Sequence, residues 1–133
     1  MGRNATIEAP WDFTVAHNTT VGFRVWKRSI VQGKELLQPE DLSAERYSMV
    51  LRARVEGATA YLFEKDIPKA DGAEGYFEGF VPAFAVADEG KTVICWAVLI
   101  DEDLAPGGAT ESGDFEEILC EFTRTIRPAL SPA

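Results

Sequence analysis

Apolar and polar residues alternate in short stretches along this chain, and turn residues separate one stretch from the next. A period of two, in stretches rich in Val, Ile, Phe, Tyr and Trp, is typical of β-strands with one buried face, whereas helical periodicity is nearly absent. The pattern predicts seven strands, at residues 11–16, 20–29, 46–55, 58–66, 75–86, 91–100 and 116–127.

Two of these stretches indicate where the core lies. In 46–55, Met49 and Leu51 alternate with Arg52, so one face of this strand should pack inward and the other should meet solvent. The stretch 91–100 is apolar on both faces, which predicts a central strand that is covered on both sides.

Polar and turn-forming segments separate the predicted strands. Residues 29–45 include Gly33 and Pro39 and predict a long connection with room for one helical turn. An acidic, glycine-rich loop is expected at 101–114, and the tail 128–133 should be loose.

Seven strands in about 120 residues favour a two-sheet antiparallel β-sandwich of immunoglobulin-like type over a closed barrel, which the pattern leaves open. The length of 133 residues is that of one domain, so we expect a single all-β domain over residues 1–133.

Composition and charge narrow the classes of partner. No apolar run approaches the roughly 18 residues of a membrane span, and the first residues lack the apolar stretch of a signal peptide, so we expect cytoplasmic synthesis without membrane insertion. The net charge of −9 repels phosphate backbones and predicts that nucleic acid is not a partner.

The charge is unevenly distributed along the chain. Residues 1–54 carry eight basic and six acidic side chains (net +2), and residues 55–133 carry five and 16 (net −11). Solvated loops explain such an imbalance, and so does the docking of oppositely charged surfaces in a homo-oligomer.

The two cysteines are too few for a disulfide framework and lack the neighbouring ligands of a zinc site. If the last two strands form a hairpin around Pro106, Cys95 faces Cys120 and Ala97 faces Ile118. Packing of two reduced thiols in the core is the expectation, and a disulfide is the alternative.

No catalytic arrangement is evident in the sequence. His17 is the single histidine and lies in a polar turn, so we expect it to be exposed rather than to act as a general base. The segment 85–92 departs from the phosphate-binding pattern at its first glycine and precedes a strand instead of a helix. We therefore predict a non-enzymatic protein without a cofactor, although a carboxylate pair stays open.

Two groups of residues are candidates for binding. The acidic loop offers Asp101, Asp103 and Asp114 as weak calcium ligands, with a solvated loop as the default. Aromatic and arginine side chains are typical of interface centres, and the interface candidates on this basis are Arg24, Trp26, Arg28 and Tyr61.

The order of several segments resembles the Ig-like N-terminal domains of phage tail and baseplate proteins. The first half of the resemblance is carried by Thr20–Trp26, the connection to Pro39–Ser43 and the stretch Tyr47–Val55; the second half is carried by Gly75–Pro82 and Gly90–Asp101. The resemblance implies a structural or adaptor module of a prophage particle, associated with the virion and bound to copies of itself or to other tail and baseplate proteins.

A carbohydrate-binding module is the alternative from another class of function. Sugar-binding sandwiches present aromatic rings for stacking, and the rings that could do so are Trp11, Trp26, Tyr61 and Tyr76. A glycan is therefore the alternative partner.

Overall fold

The computed structural model describes residues 3–8, 11–102 and 116–128 of the chain. These residues form two antiparallel β-sheets that pack face to face, so the protein is an all-β sandwich as the alternation predicts. The strands, in chain order, are β1 (Arg3–Glu8), β2 (Thr19–Val31), β3 (Lys34–Pro39), β4 (Tyr47–Val55), β5 (Phe63–Ile67), β6 (Lys69–Asp71), β7 (Tyr76–Val81), β8 (Thr92–Asp101) and β9 (Glu116–Thr125).

The first sheet has the order β1-β2-β7-β6, with β3 added alongside β2, and the second has the order β5-β4-β8-β9. Two single-turn 3-10 helices, Gly72–Glu74 and Val86–Asp88, flank β7. No helix in the described ranges is long and apolar enough to cross a membrane.

The core lies between the inner faces of the two sheets. Its fully buried side chains include Val21, Phe23, Val25 and Phe77 from the first sheet and Met49, Leu51, Val93, Cys95 and Leu99 from the second. Burial of a side chain of this size contributes roughly 2 kcal/mol each to folding. The predicted alternation in 46–55 is confirmed, because Met49 and Leu51 face this core while Arg52 points outward.

The predicted strand 11–16 is wrong as a regular strand. Phe13 and Val15 are buried as the alternation requires, but the segment makes isolated bridges, from Thr14 to Arg127 and from Val15 to Phe84, instead of a ladder. It therefore closes one end of the sandwich.

The sequence pattern does not predict three short strands, and one predicted strand is absent, so the described residues form nine strands instead of about seven. β3 occupies part of the predicted polar connection, β6 follows Pro68 where a turn was expected, and β1 precedes the first predicted strand. β7 stops at Val81, five residues earlier than predicted, because Pro82 has no N–H for a ladder.

The predicted pairing of β8 with β9 is confirmed, but its register is wrong. Cys95 stands opposite Phe122 and Cys120 opposite Ala97, so the two thiols are not direct neighbours across the strands. The register shifts next to Ala97, where β9 carries Leu119 as an extra residue in a β-bulge.

β8 is a central strand as predicted, between β4 and β9. Its inner face is buried, whereas Ile94, Trp96 and Ile100 on the outer face are half-buried. Among the described residues, neighbouring side chains such as Arg54 cover this outer face, and no further layer does.

Candidate interaction surfaces

The β2–β3 hairpin extends beyond the sandwich as an arm, defined here as residues 27–38. β7 pairs with β2 as far as Arg24 and β1 as far as Lys27, so in the described chain β3 alone pairs with the end of β2. At about 3.3 Å per residue, the five residues from Lys27 to Val31 carry the arm roughly 15 Å past Trp26.

A two-residue turn closes the arm. Gln32 and Gly33 have φ values of 52° and 77°, the left-handed pair of a type I′ hairpin turn, whose twist matches that of the flanking strands. Gly33 accepts this conformation without steric cost. The turn fixes the register in which Val31 stands opposite Lys34.

Both faces of the arm are apolar and exposed. Ile30 and Leu37 lie on the face that continues the outer surface of the sheet, and Val31 and Leu36 lie on the opposite face. Their exposed fractions are 73%, 51%, 51% and 41%, respectively. Because a two-stranded hairpin has no core of its own and is marginally stable in water, such a surface is typical of a segment that a partner covers.

The arm has a positive net charge, whereas the rest of the protein has a negative one. Residues 27–38 contain three basic side chains and one acidic side chain (net +2), and the rest of the chain contains ten basic and 21 acidic side chains (net −11). Glu35, the acidic residue, forms an ion pair with Arg28 across the hairpin. The arm and the body of the protein therefore have net charges of opposite sign.

The structure brings three of the four predicted interface residues together. Arg24, Trp26 and Arg28 are alternate residues of β2 on its outer face, in a line from the body into the arm. The indole Nε1 of Trp26 donates to Thr6 Oγ1 over 2.9 Å, which holds the half-buried ring at the base of the arm opposite Pro39.

Arg24 is the residue of this line that lies within the sandwich, where neighbouring side chains hold it in place. Its Nε donates to Glu8 Oε1 over 2.6 Å, and its guanidinium lies 5.1 Å above the ring of Tyr76. The phenol of Tyr76 in turn donates to Glu78 over 2.6 Å, and this bond is the main reason that the pKa of Tyr76 is raised.

Tyr61, the fourth predicted interface residue, lies elsewhere. It belongs to the loop between β4 and β5, where its half-exposed ring meets Trp96 edge-on at 6.3 Å. Arg54 lies 5.2 Å from the Trp96 ring, and the indole of Trp96 donates to Glu121 over 2.6 Å. Trp96 was not among the predicted binding residues, because its strand was expected to be covered on both sides.

The four aromatic residues proposed for stacking on sugars do not share one platform. Trp11 packs in the core, with its ring 5.4 Å from Phe122 and beneath the guanidinium of Arg124 at 4.9 Å. Trp26 and Tyr76 belong to the first sheet, and Tyr61 lies beside the second.

An apolar depression of about 350 Å³, called here the end groove, lies between β5 and the segment that follows β7. Its lining consists of Leu62, Phe63, Glu64, Lys65, Val81, Pro82, Ala83, Phe84, Ala85 and Asp88. Val81 pairs with Thr19 at the start of β2, whereas the arm begins at the other end of β2, so the end groove and the arm lie at opposite ends of the sandwich.

A larger depression of about 830 Å³ lies between β4 and the β5–β6 segment. Its floor includes Met49, Ile67 and Phe77, and its rim carries Asp66, Lys69 and Glu102. This rim combines charges of both signs, and the lining contains no histidine or cysteine.

Of the three predicted calcium ligands, Asp101 alone lies among the described residues, and its carboxylate forms an ion pair. This carboxylate is buried, and both of its oxygens accept from Arg46, at 2.8 Å from Nε and 2.8 Å from Nη2. Asp103 and Asp114 lie outside the described residues. Within the described ranges, no group of three or more acidic, histidine or cysteine side chains is placed to hold a metal ion.

His17 is exposed in a turn closed by its bridge to Thr14, as predicted. The two cysteines are free thiols, with Cys95 buried and Cys120 half-buried. Burial raises the pKa of Cys95 to about 12 and raises that of Cys120 as well, so burial disfavours the reactive thiolate form of both side chains.

Comparison with protein-family models, with curated proteins and with solved structures found no match for the chain.

Proposed function

We propose that the protein is a structural module of a phage or prophage tail-type assembly and that it associates with copies of itself through the arm. The main observation behind this proposal is the arm. Four apolar side chains on its two faces are exposed to water, and a hairpin that packs against nothing else is marginally stable, so burial of these side chains by a partner would stabilise it.

Two further observations support this function. The sequence resemblance to Ig-like tail and baseplate domains covers β2, β4, β7 and β8, which form the body of the sandwich. The net charge of +2 on the arm and −11 on the rest of the chain favours association between copies.

The test is the solution mass of the whole chain, measured by light scattering behind a sizing column at low and at high salt. We expect a discrete oligomer that dissociates partly at high salt, because exposed opposite charges are screened. The paired substitution Ile30→Ser with Leu37→Ser should reduce the mass to that of a monomer while the circular dichroism spectrum stays that of the folded wild type, since both side chains are exposed.

Ile118→Ser is the matched control, because this residue of β9 is 62% exposed but lies outside the arm. It should leave the oligomer intact. A monomer at every protein concentration would overturn self-association. In a parallel glycan-binding screen, a sugar-dependent signal would overturn the structural function in favour of carbohydrate binding.

A further inference from the structure

The exposed apolar side chains of the described chain gather in two places. Four of the nine large ones belong to the arm, and a second set surrounds the end groove. In this second set Leu62 lines the groove, Val86 lies in the chain between the lining residues Ala85 and Asp88, and the ring of Phe80 lies 5.3 Å from Nζ of the lining residue Lys65. Tyr61, whose ring meets Trp96, and Ile118 belong to neither place.

These two surfaces differ in shape and lie at opposite ends of β2. The arm is a convex ribbon that extends past Trp26, and the end groove is a concavity next to Val81, which pairs with Thr19. The eight residues from Thr19 to Trp26 separate them by roughly 25 Å. Two complementary surfaces at opposite ends of one molecule produce head-to-tail contacts, which close into rings or continue as filaments.

The charges favour the same arrangement. The arm carries Lys27, Arg28 and Lys34 beside its apolar residues. Of the two carboxylates in the lining of the end groove, Glu64 pairs with Arg52 and Asp88 pairs with Lys91, so the negative charge that attracts the arm is that of the body as a whole. A second copy of this chain therefore offers the basic arm an acidic body with an apolar groove at its end.

We infer that the arm of one copy docks in the end groove of a second copy, so that copies assemble head to tail. This inference rests on the proposed function, and it identifies both surfaces of the contact. It excludes a two-fold contact between two arms, in which the end groove would have no part.

A mixing experiment between two variants tests the inference. The arm variant, Ile30→Ser with Leu37→Ser, keeps its end groove. The groove variant, Leu62→Lys with Val86→Lys, keeps its arm and places positive charge where the basic arm would dock. Each variant alone should be monomeric, whereas an equimolar mixture should form a heterodimer of two chain masses, because one intact arm and one intact groove remain.

Each alternative outcome is distinct in this experiment. A groove variant that remains oligomeric, or a mixture that remains monomeric, would overturn docking in the end groove while self-association stands. A monomeric wild type would instead overturn the proposed function itself. If the circular dichroism spectrum shows that the double groove variant is unfolded, Val86→Lys alone replaces it, because that side chain is 71% exposed.

Discussion

Val25 donates its backbone N–H to the carbonyl oxygen of Gly75 over 2.8 Å, at the point where β2 exchanges one neighbour for another. The carbonyl oxygen of the same Val25 accepts from the N–H of Glu40 over 2.9 Å. β7 begins just after Gly75 and β3 ends just before Glu40, so this three-way junction is the base from which the arm leaves the sandwich.

Gly75→Ala should destabilise the protein by about 3 kcal/mol or more. Gly75 has a φ of 67°, and a Cβ at this position would lie 2.7 Å from the carbonyl oxygens of both Glu40 and Val25. Because both contacts are with backbone, no side chain can rotate away to relieve them. Urea unfolding followed by tryptophan fluorescence measures the change.

Gly57→Ala is the matched control for this substitution. Gly57 also has a positive φ, 89°, but within the described chain a Cβ added there would meet no atom within 4 Å beyond its chain neighbours, so the variant carries the backbone strain alone. Its cost should be about 1 kcal/mol. If both variants lose the same free energy of unfolding, the backbone contacts around Gly75 at the base of the arm are not as close as the structure shows.

A second prediction concerns the buried ion pair at the end of β8. Asp101→Asn should lower the free energy of unfolding by about 2 kcal/mol, because it removes the charge that faces Arg46 through two hydrogen bonds. Asp12→Asn is the control, since Asp12 is exposed and pairs with the exposed Arg127 at 3.2 Å; its cost should be below about 1 kcal/mol. If the two variants unfold at the same urea concentration, the Arg46–Asp101 pair contributes no more to stability than the exposed Arg127–Asp12 pair.

Strand faces could be predicted from the sequence where apolar and polar residues alternate regularly, and not where the alternation is interrupted. The inner and outer faces of β4 were predictable because its apolar and charged residues alternate without a break. In β9 the predicted register set Ile118 opposite Ala97, whereas in the structure Ile118 stands opposite Val98 and is 62% exposed, and Leu119 is buried. The bulge at Leu119 inserts one residue, and no residue type in the sequence marks it.

The arm was missed for a related reason. Strands are recognised by the contrast between a buried and an exposed face, and β3 has five exposed residues followed by a half-buried Pro39. The polar residues, Gly33 and Pro39 of 29–45 predicted a long connection, and Gln32 is not a usual first residue of a type I′ turn, so the pair Gln32 and Gly33 does not mark a hairpin in the sequence. The placement of Arg24, Trp26 and Arg28 on one face of a strand was predictable, since their spacing of two residues needs no knowledge of the partner strand.

The buried thiol of Cys95 predicts how stability depends on alkaline pH. Burial raises its pKa to about 12 from an ordinary value of about 9, so above pH 9 the unfolded chain loses a proton that the folded protein keeps. The stabilisation from the neutral thiol is complete below about pH 9 and is lost as the pH rises toward 12, at up to about 1.4 kcal/mol per pH unit. Cys95→Ala should therefore lose stability less steeply than the wild type in urea unfolding over this range, with lysine and tyrosine titration common to both; parallel slopes would show that the thiol ionises within the folded protein.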